Sequence, residues 1–159
     1  MRYLKLKKEK VFDFLNCLKE YGNLHAPKKI SEKSYDFLPI DDVEEVEFHY
    51  HRTIQPPRRF FYPPKETLFT YDREAVEMYE VFEHDEPIVL FGVHSCDIVG
   101  LRIMDANFID DEPDPYYQRR REKGIIIGIS CLPDEYCFCN VRRAEFVDKG
   151  FDLFLSEVP

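Results

Sequence analysis

The chain has 159 residues, 44% of them apolar and 15% aromatic, enough to bury a core without disulfide staples. With 31 acidic side chains against 22 basic ones the formal charge is -9, which repels a phosphate backbone and argues against nucleic acid as a partner. The sequence shows no signal peptide, and its longest apolar run, near Gly124 to Ile129, is too short to span a bilayer, so a soluble cytoplasmic protein without membrane contact is expected. In that compartment five cysteines point to metal ligands, reactive thiols or core residues before disulfides. Charged residues reach 33% while Gln occurs twice and Asn four times, a balance that leans toward heat-adapted proteins, and those leave disulfides open as an exception.

The chain opens with a predicted short strand, Tyr3 to Leu6. Val11, Phe14, Leu15, Leu18 and Tyr21 then recur at helical spacing, with Gly22 where a helix stop belongs. Cys17 lies in that helix and reads as a small apolar residue at its core boundary. Tyr35 to Ile40, Val46 to His51 and Thr67 to Tyr71 are predicted strands. Between the last two, residues 54–64 carry four prolines and three consecutive aromatics, Phe60, Phe61 and Tyr62. The prolines predict an extended, non-helical path across the surface, with the aromatics buried against the sheet or a partner subunit.

The second half is more regular. Pro87 to His94 is a continuous apolar run, the mark of a strand buried on both faces. A helix follows with Ile98, Leu101, Met104 and Phe108 on one stripe. After the acidic, proline-broken turn of residues 110–115, Tyr116 to Lys123 predicts a polar helix ended by Gly124. Gly124 to Ser130 is a second buried strand, and Phe151 to Leu155 a last one. Strand, helix, strand in this order predicts a parallel crossover. The expected fold class is therefore α/β, with α+β as the alternative, in a single domain spanning residues 1–159 around a mixed sheet.

The crossover gives the cysteines their meaning. Cys96 stands just past the first buried strand and Cys131 just past the second, so both belong to one edge of the sheet, where open α/β sheets take their ligands. The loop from Cys131 brings Cys137 and Cys139 back toward the same place. Four cysteines within 44 positions, all near strand ends, match random core filling poorly and suggest a thiolate-ligated metal, against unmetallated or redox-active thiols. Zinc and iron–sulfur clusters both accept four thiolates. An extended Cys-x-Cys pair spreads its Cα atoms about 6.6 Å apart, whereas tetrahedral zinc wants sulfurs about 3.8 Å from each other. The spacing therefore leans to a [4Fe–4S] cluster, with zinc or no metal as the alternatives.

Other candidates are weaker. His49 and His51 would share a strand face, which suits two ligands or a solvated edge. His94, just before the Ser95-Cys96 bend, reads either as a hydrogen-bond donor to a bound cluster or as a satisfied near-surface histidine. No Gly-x-Gly-x-x-Gly follows a strand and no serine, histidine and acid arrangement stands out, so no catalytic residue is assigned.

Phe91-Gly92-Val93-His94-Ser95-Cys96-Asp97, the stretch Asp114-Pro115-Tyr116-Tyr117 with Arg119-Arg120-Arg121, and the run from Cys131 through Cys137-Phe138-Cys139 together resemble a known family. It is that of the beta subunits of cytoplasmic archaeal nickel–iron sulfhydrogenases, to which a component of anaerobic sulfite reductase is related. The Pro-Pro-Arg-Arg-Phe-Phe segment and the opening Met1-Arg2-Tyr3-Leu4-Lys5-Leu6 are similar too. The resemblance implies an electron-transfer subunit of a hydrogenase/sulfur reductase. Its partners would be a flavin subunit that handles NAD(P)H and the small and large nickel–iron subunits. Family members continue into a ferredoxin-like region with Cys-x-x-Cys-x-x-Cys runs, so these 159 residues are expected to be the N-terminal domain of a longer iron–sulfur subunit. The family's best-known clusters do not fall on these residues, and ligation by Cys96, Cys131, Cys137 and Cys139 rests on the crossover alone. The competing expectation is a metal-free docking domain, working through Phe60 and Phe61, that positions the ferredoxin-like region in the complex.

Overall fold

The computed structural model describes residues 3–110 and 112–158; Met1, Arg2, Asp111 and Pro159 lie outside the described residues. A five-stranded mixed sheet forms the body of the molecule. Its strands are β1 (Asn23–Ser31), β2 (Ser34–Pro39), β5 (Ile88–Val93), β6 (Gly124–Ile129) and β7 (Leu153–Leu155), in the order β2-β1-β5-β6-β7. β1 and β2 are antiparallel, while β1, β5, β6 and β7 run parallel to their neighbours. A separate hairpin pairs β3 (Phe69–Asp72) with β4 (Glu77–Glu80). The α/β expectation and the parallel crossover in the C-terminal half both hold.

The crossover forms because its pieces are locally consistent. β5 and β6 are branched and apolar, and Val89, Leu90, Phe91, Val93, Ile126 and Ile127 are all fully buried. Helix α2 (Ser95–Phe108) buries Ile98 and Leu101 and packs against β6. Helix α3 (Pro115–Lys123) starts at Asp114, whose Oδ1 accepts the N–H groups of Tyr116 and Tyr117 at 2.9 and 3.1 Å, and Pro115 supplies a first-turn residue that needs no N–H partner.

α3 is less polar in its role than its sequence predicts. Tyr117 is fully buried and donates its hydroxyl to Asp105 Oδ1 at 2.7 Å. Arg120 is buried as well, donating from Nε to the Phe61 carbonyl at 2.8 Å and from its Nη atoms to Glu66 at 2.6 and 3.1 Å. Arg119 and Arg121 pair with Asp85 and Asp105 in the same forked manner. The basic run is thus a set of three internal clamps.

Several predicted elements of the first half form differently. Residues 3–7 make no strand; a 3-10 turn, Lys8–Lys10, leads directly into helix α1 (Val11–Leu18). α1 buries Leu15 and Leu18, and Cys17 sits on its exposed side, not at the core boundary. From Val46 to His51 only Val46 bridges, to Lys28, and the rest is irregular chain that lays Phe48 edge-on against Phe91. The proline-rich stretch winds into a 3-10 turn, Pro57–Phe60, because Pro56 and Pro57 preset φ near the value such a turn needs. Phe61 then points inward: it is fully buried, and its Cε1 would lie 2.3 Å from a Cβ added at Gly124. Only Tyr62 of the three aromatics is substantially exposed.

Candidate thiol site

The site lies at the carboxyl ends of β5 and β6. β5 ends at Val93; His94 keeps extended backbone, and α2 begins at Ser95, which puts Cys96 in the first helical turn. β6 ends at Ile129, Ser130 hydrogen-bonds to the Leu155 carbonyl, and Cys131 follows half-buried. From there residues 132–138 double back through a tight turn. The Cys137 N–H donates to the Asp134 carbonyl at 3.1 Å, Asp134 Oδ1 accepts the Tyr136 N–H at 2.9 Å, and the Cys137 thiol donates to the same oxygen at 3.2 Å. Arg52 pairs with Asp134 and stands 5.3 Å from the Tyr136 ring centre, tying this turn to the irregular chain after Val46. Cys139 opens the one-turn helix α4 (Cys139–Arg142), closed by Arg143 in left-handed conformation and anchored by buried Ala144.

The electrostatics show which thiols share a neighbourhood. Burial pushes the Cys96 thiol up to about 12, and the negative charges of Asp97, Cys139 and Cys131 add to it. Cys131 is raised by burial, then by Cys139, Cys137 and Asp97. At Cys137 the Asp134 N–H favours the thiolate, but burial and the Asp134 carboxylate outweigh it and the net shift is upward. Each thiol therefore opposes ionisation of the next, and a cationic centre would reverse that opposition.

Residues that the sequence reading did not place complete the corner. Asp97 is raised to about 6 by burial, partly offset by Arg58. Tyr50 is buried; its hydroxyl donates to the Gly92 carbonyl at 2.6 Å and is held protonated by burial and by the charges of Asp97, Cys96 and Cys131. His94 stacks on Tyr50 with ring centres 4.1 Å apart and planes 13° from parallel. Burial and the proximity of His51 lower His94 to about 4, so its ring is neutral at physiological pH. His94 is neither near the surface nor satisfied: it is 3% exposed, and Nε2 has no hydrogen-bond partner among the described residues. His49 and His51 are both exposed, on irregular chain and not on a shared strand face. Asp97, directly after Cys96, was the one legible signal among these; Tyr50 carried none.

The corner offers four sulfurs of the kind that soft metals take as thiolates. Among the described residues, however, no three His, Cys, Asp or Glu side chains converge as they would to hold a metal ion. Around the thiols large apolar side chains are exposed, Leu132, Tyr136, Phe138, Val141 and Phe146 each between 64% and 89%, interleaved with exposed Glu135, Arg142, Arg143 and Glu145.

No family model matches the chain, and no solved structure matches it. Among characterised proteins it is 45% identical to sulfhydrogenase 2 subunit beta of Pyrococcus furiosus over 159 residues. That alignment takes in all of this chain and 46% of the relative, so the chain spans less than half the relative's length. Among the described residues no helix is long and apolar enough to cross a membrane. The likeness runs through every segment of the thiol corner, and the chain resembles, from end to end, part of the beta subunit of a sulfhydrogenase.

Proposed function

We propose that this chain is an electron-relay module of a cytoplasmic hydrogenase/sulfur reductase, with Cys96, Cys131, Cys137 and Cys139 holding a [4Fe–4S] cluster. Its partners are a flavin subunit that handles NAD(P)H and the small and large nickel–iron subunits. The observation that supports the reading is the placement of Cys96 and Cys131 just past the carboxyl ends of the neighbouring parallel strands β5 and β6, with Cys137 and Cys139 on the chain that follows. The likeness to a sulfhydrogenase beta subunit supports a role as part of a hydrogenase/sulfur reductase complex.

When bound, the cluster supplies a one-electron carrier. The protein's own contribution is to gather the thiols, neutralise their repulsion through the metal, and limit water around them. The exposed apolar side chains Leu132, Phe138, Val141 and Phe146, set among Arg142, Arg143 and Glu145, offer a redox partner a mixed contact surface.

Anaerobic reconstitution with iron and sulfide, followed by iron and sulfide analysis, absorption and EPR spectroscopy, tests the proposal. A brown protein with four irons and an EPR signal on reduction is expected. Colourless, EPR-silent protein retaining four reactive thiols would leave the metal-free docking reading, which the same exposed side chains favour. That docking would not run through Phe60 and Phe61, since Phe61 is inside the core and Phe60 is half-buried.

A further inference from the structure

All eight residues of β3 and β4 are exposed. Two strands that pair only with each other are marginally stable in water, so this hairpin has to be held from outside. Its root is clamped by α3. Tyr116 donates its hydroxyl to the Leu68 carbonyl at 2.6 Å, and its ring centre lies 5.0 Å from that of Phe82. Arg119 stands 4.7 Å over the Phe82 ring and forks onto Asp85, while Arg120 forks onto Glu66. One helix thus grips both the chain entering the hairpin and the chain leaving it. Asp85 also pairs with Lys123, beside the amino ends of β5 and β6, so the hairpin is rooted at the sheet edge opposite the thiols.

The pairing register sorts the exposed side chains. Phe69 opposite Glu80 and Tyr71 opposite Met78 share one face; Thr70 opposite Tyr79 and Asp72 opposite Glu77 share the other. Phe69, Tyr71 and Met78 are 54%, 56% and 63% exposed. At the tip Val76 is 71% exposed with a φ of 57°, a strained conformation for a β-branched residue where glycine is the unstrained choice. Strain of this kind persists where the displayed side chain serves a purpose. Four carboxylates, Asp72, Glu74, Glu77 and Glu80, against Arg73 alone make the hairpin acidic. That charge repels a second copy of the chain, an anionic lipid surface and nucleic acid, and it attracts a basic protein face. Four apolar side chains fill only part of the roughly 800 Å² per partner that a stable interface buries, so the partner has to cover the second face too, as a cleft does. We propose that the β3–β4 hairpin inserts into an apolar cleft, rimmed by lysine and arginine, on another subunit of the hydrogenase/sulfur reductase complex. Placing the partner in that complex rests on the function proposed above; the chemistry of recognition rests on the hairpin alone.

The test purifies the complex from cells through an affinity tag on this chain in three forms: unaltered, Tyr71→Ser with Met78→Ser, and Glu77→Lys with Glu80→Lys. The ratio of co-purified subunits to chain is measured for each. Both pairs of substitutions are expected to lower retention at least about tenfold. Thermal unfolding of the free chain should stay unchanged, because all four positions are exposed. Retention undiminished by either pair overturns the inference. A chain that sediments as a dimer dispersed by the serine pair overturns it too, since the occupant is then a second copy. Should a variant unfold, amide exchange in the unaltered protein decides: slower exchange of residues 69–80 in the complex than in the free chain supports the docking, and equal exchange overturns it. An unaltered chain that brings down no other subunit overturns membership of the complex and this inference together, whereas full retention by the variants overturns the inference alone.

Discussion

Cys139, at the start of α4, is one of the neighbours that raise the Cys96 thiol in the first turn of α2. The two stand 43 positions apart in sequence, so their nearness is a product of the tertiary fold. Cys96→Ser and Cys139→Ser are each expected to cut iron uptake on reconstitution by at least one ligand's worth. The fold should barely notice Cys96→Ser, with stability within about 0.5 kcal/mol in urea unfolding, because the residue as a whole is exposed even though its thiol is partly desolvated, and a serine hydroxyl fits the same space. Full iron uptake by both variants would count against these thiols as ligands.

Phe61 should behave as a core residue. It is fully buried and its ring covers Gly124, so Phe61→Ala is expected to cost about 3–5 kcal/mol in urea or thermal unfolding. Gly124→Ala should be damaging for the reciprocal reason, since a new Cβ would meet the ring at 2.3 Å. A Phe61→Ala protein of ordinary stability that loses only partner binding would restore the surface-docking role.

Arg120 is the sharpest electrostatic test. Its side chain is 4% exposed and that of Glu66 13%, and the pair also satisfies the Phe61 carbonyl. Arg120→Ala leaves a nearly buried carboxylate alone and is expected to cost about 3–5 kcal/mol. The double variant Arg120→Met with Glu66→Leu should recover most of that loss, because the uncompensated charge is gone. Equal instability of the single and double variants would reject the pairing as the cause.

His25 gives a pH dependence away from the thiols. Burial lowers its pKa, with Arg59 acting in the same direction and the Asn23 carbonyl, 3.1 Å from Nδ1, opposing. The folded protein therefore binds this proton less readily than the unfolded chain, whose histidines titrate near 6.5. The contribution is whole above that pH and is lost as pH falls from 6.5 toward the lowered folded value. In the metal-free protein His94 acts in the same sense and Asp97 in the opposite one. Comparing unfolding of the unaltered protein and His25→Gln between pH 7 and 5 isolates the histidine: the variant should lose less stability on acidification. A steeper loss in the variant would contradict the burial argument.

How much of this was legible beforehand differs between the halves. β5, β6 and the α2 stripe could be read directly, since a strand buried on both faces must be apolar throughout and a helix on a sheet must carry one apolar stripe. β1 was missed because Lys28, Lys29 and Pro27 break its pattern. Pro27 is tolerated there because pairing between β1 and β5 ends at His25 and Leu90. Beyond that point Pro27 packs on Gly92, where β5 bulges with a φ of 88° and a Cβ would lie 2.9 Å from the proline ring. The predicted Tyr3–Leu6 strand had the right composition and found no partner.

Local chemistry thus determined the crossover, the chain segments that carry cysteine, and the strand ends on which Cys96 and Cys131 stand, because burial periodicity and chain direction are written residue by residue. Tertiary structure alone decided that Cys139 comes near Cys96, that Tyr50 from an irregular segment lies flat under His94, and that Phe61 turns inward while Cys17 stays outside. Those outcomes depend on which surfaces compete for the same space, and that competition is resolved only when distant segments pack together.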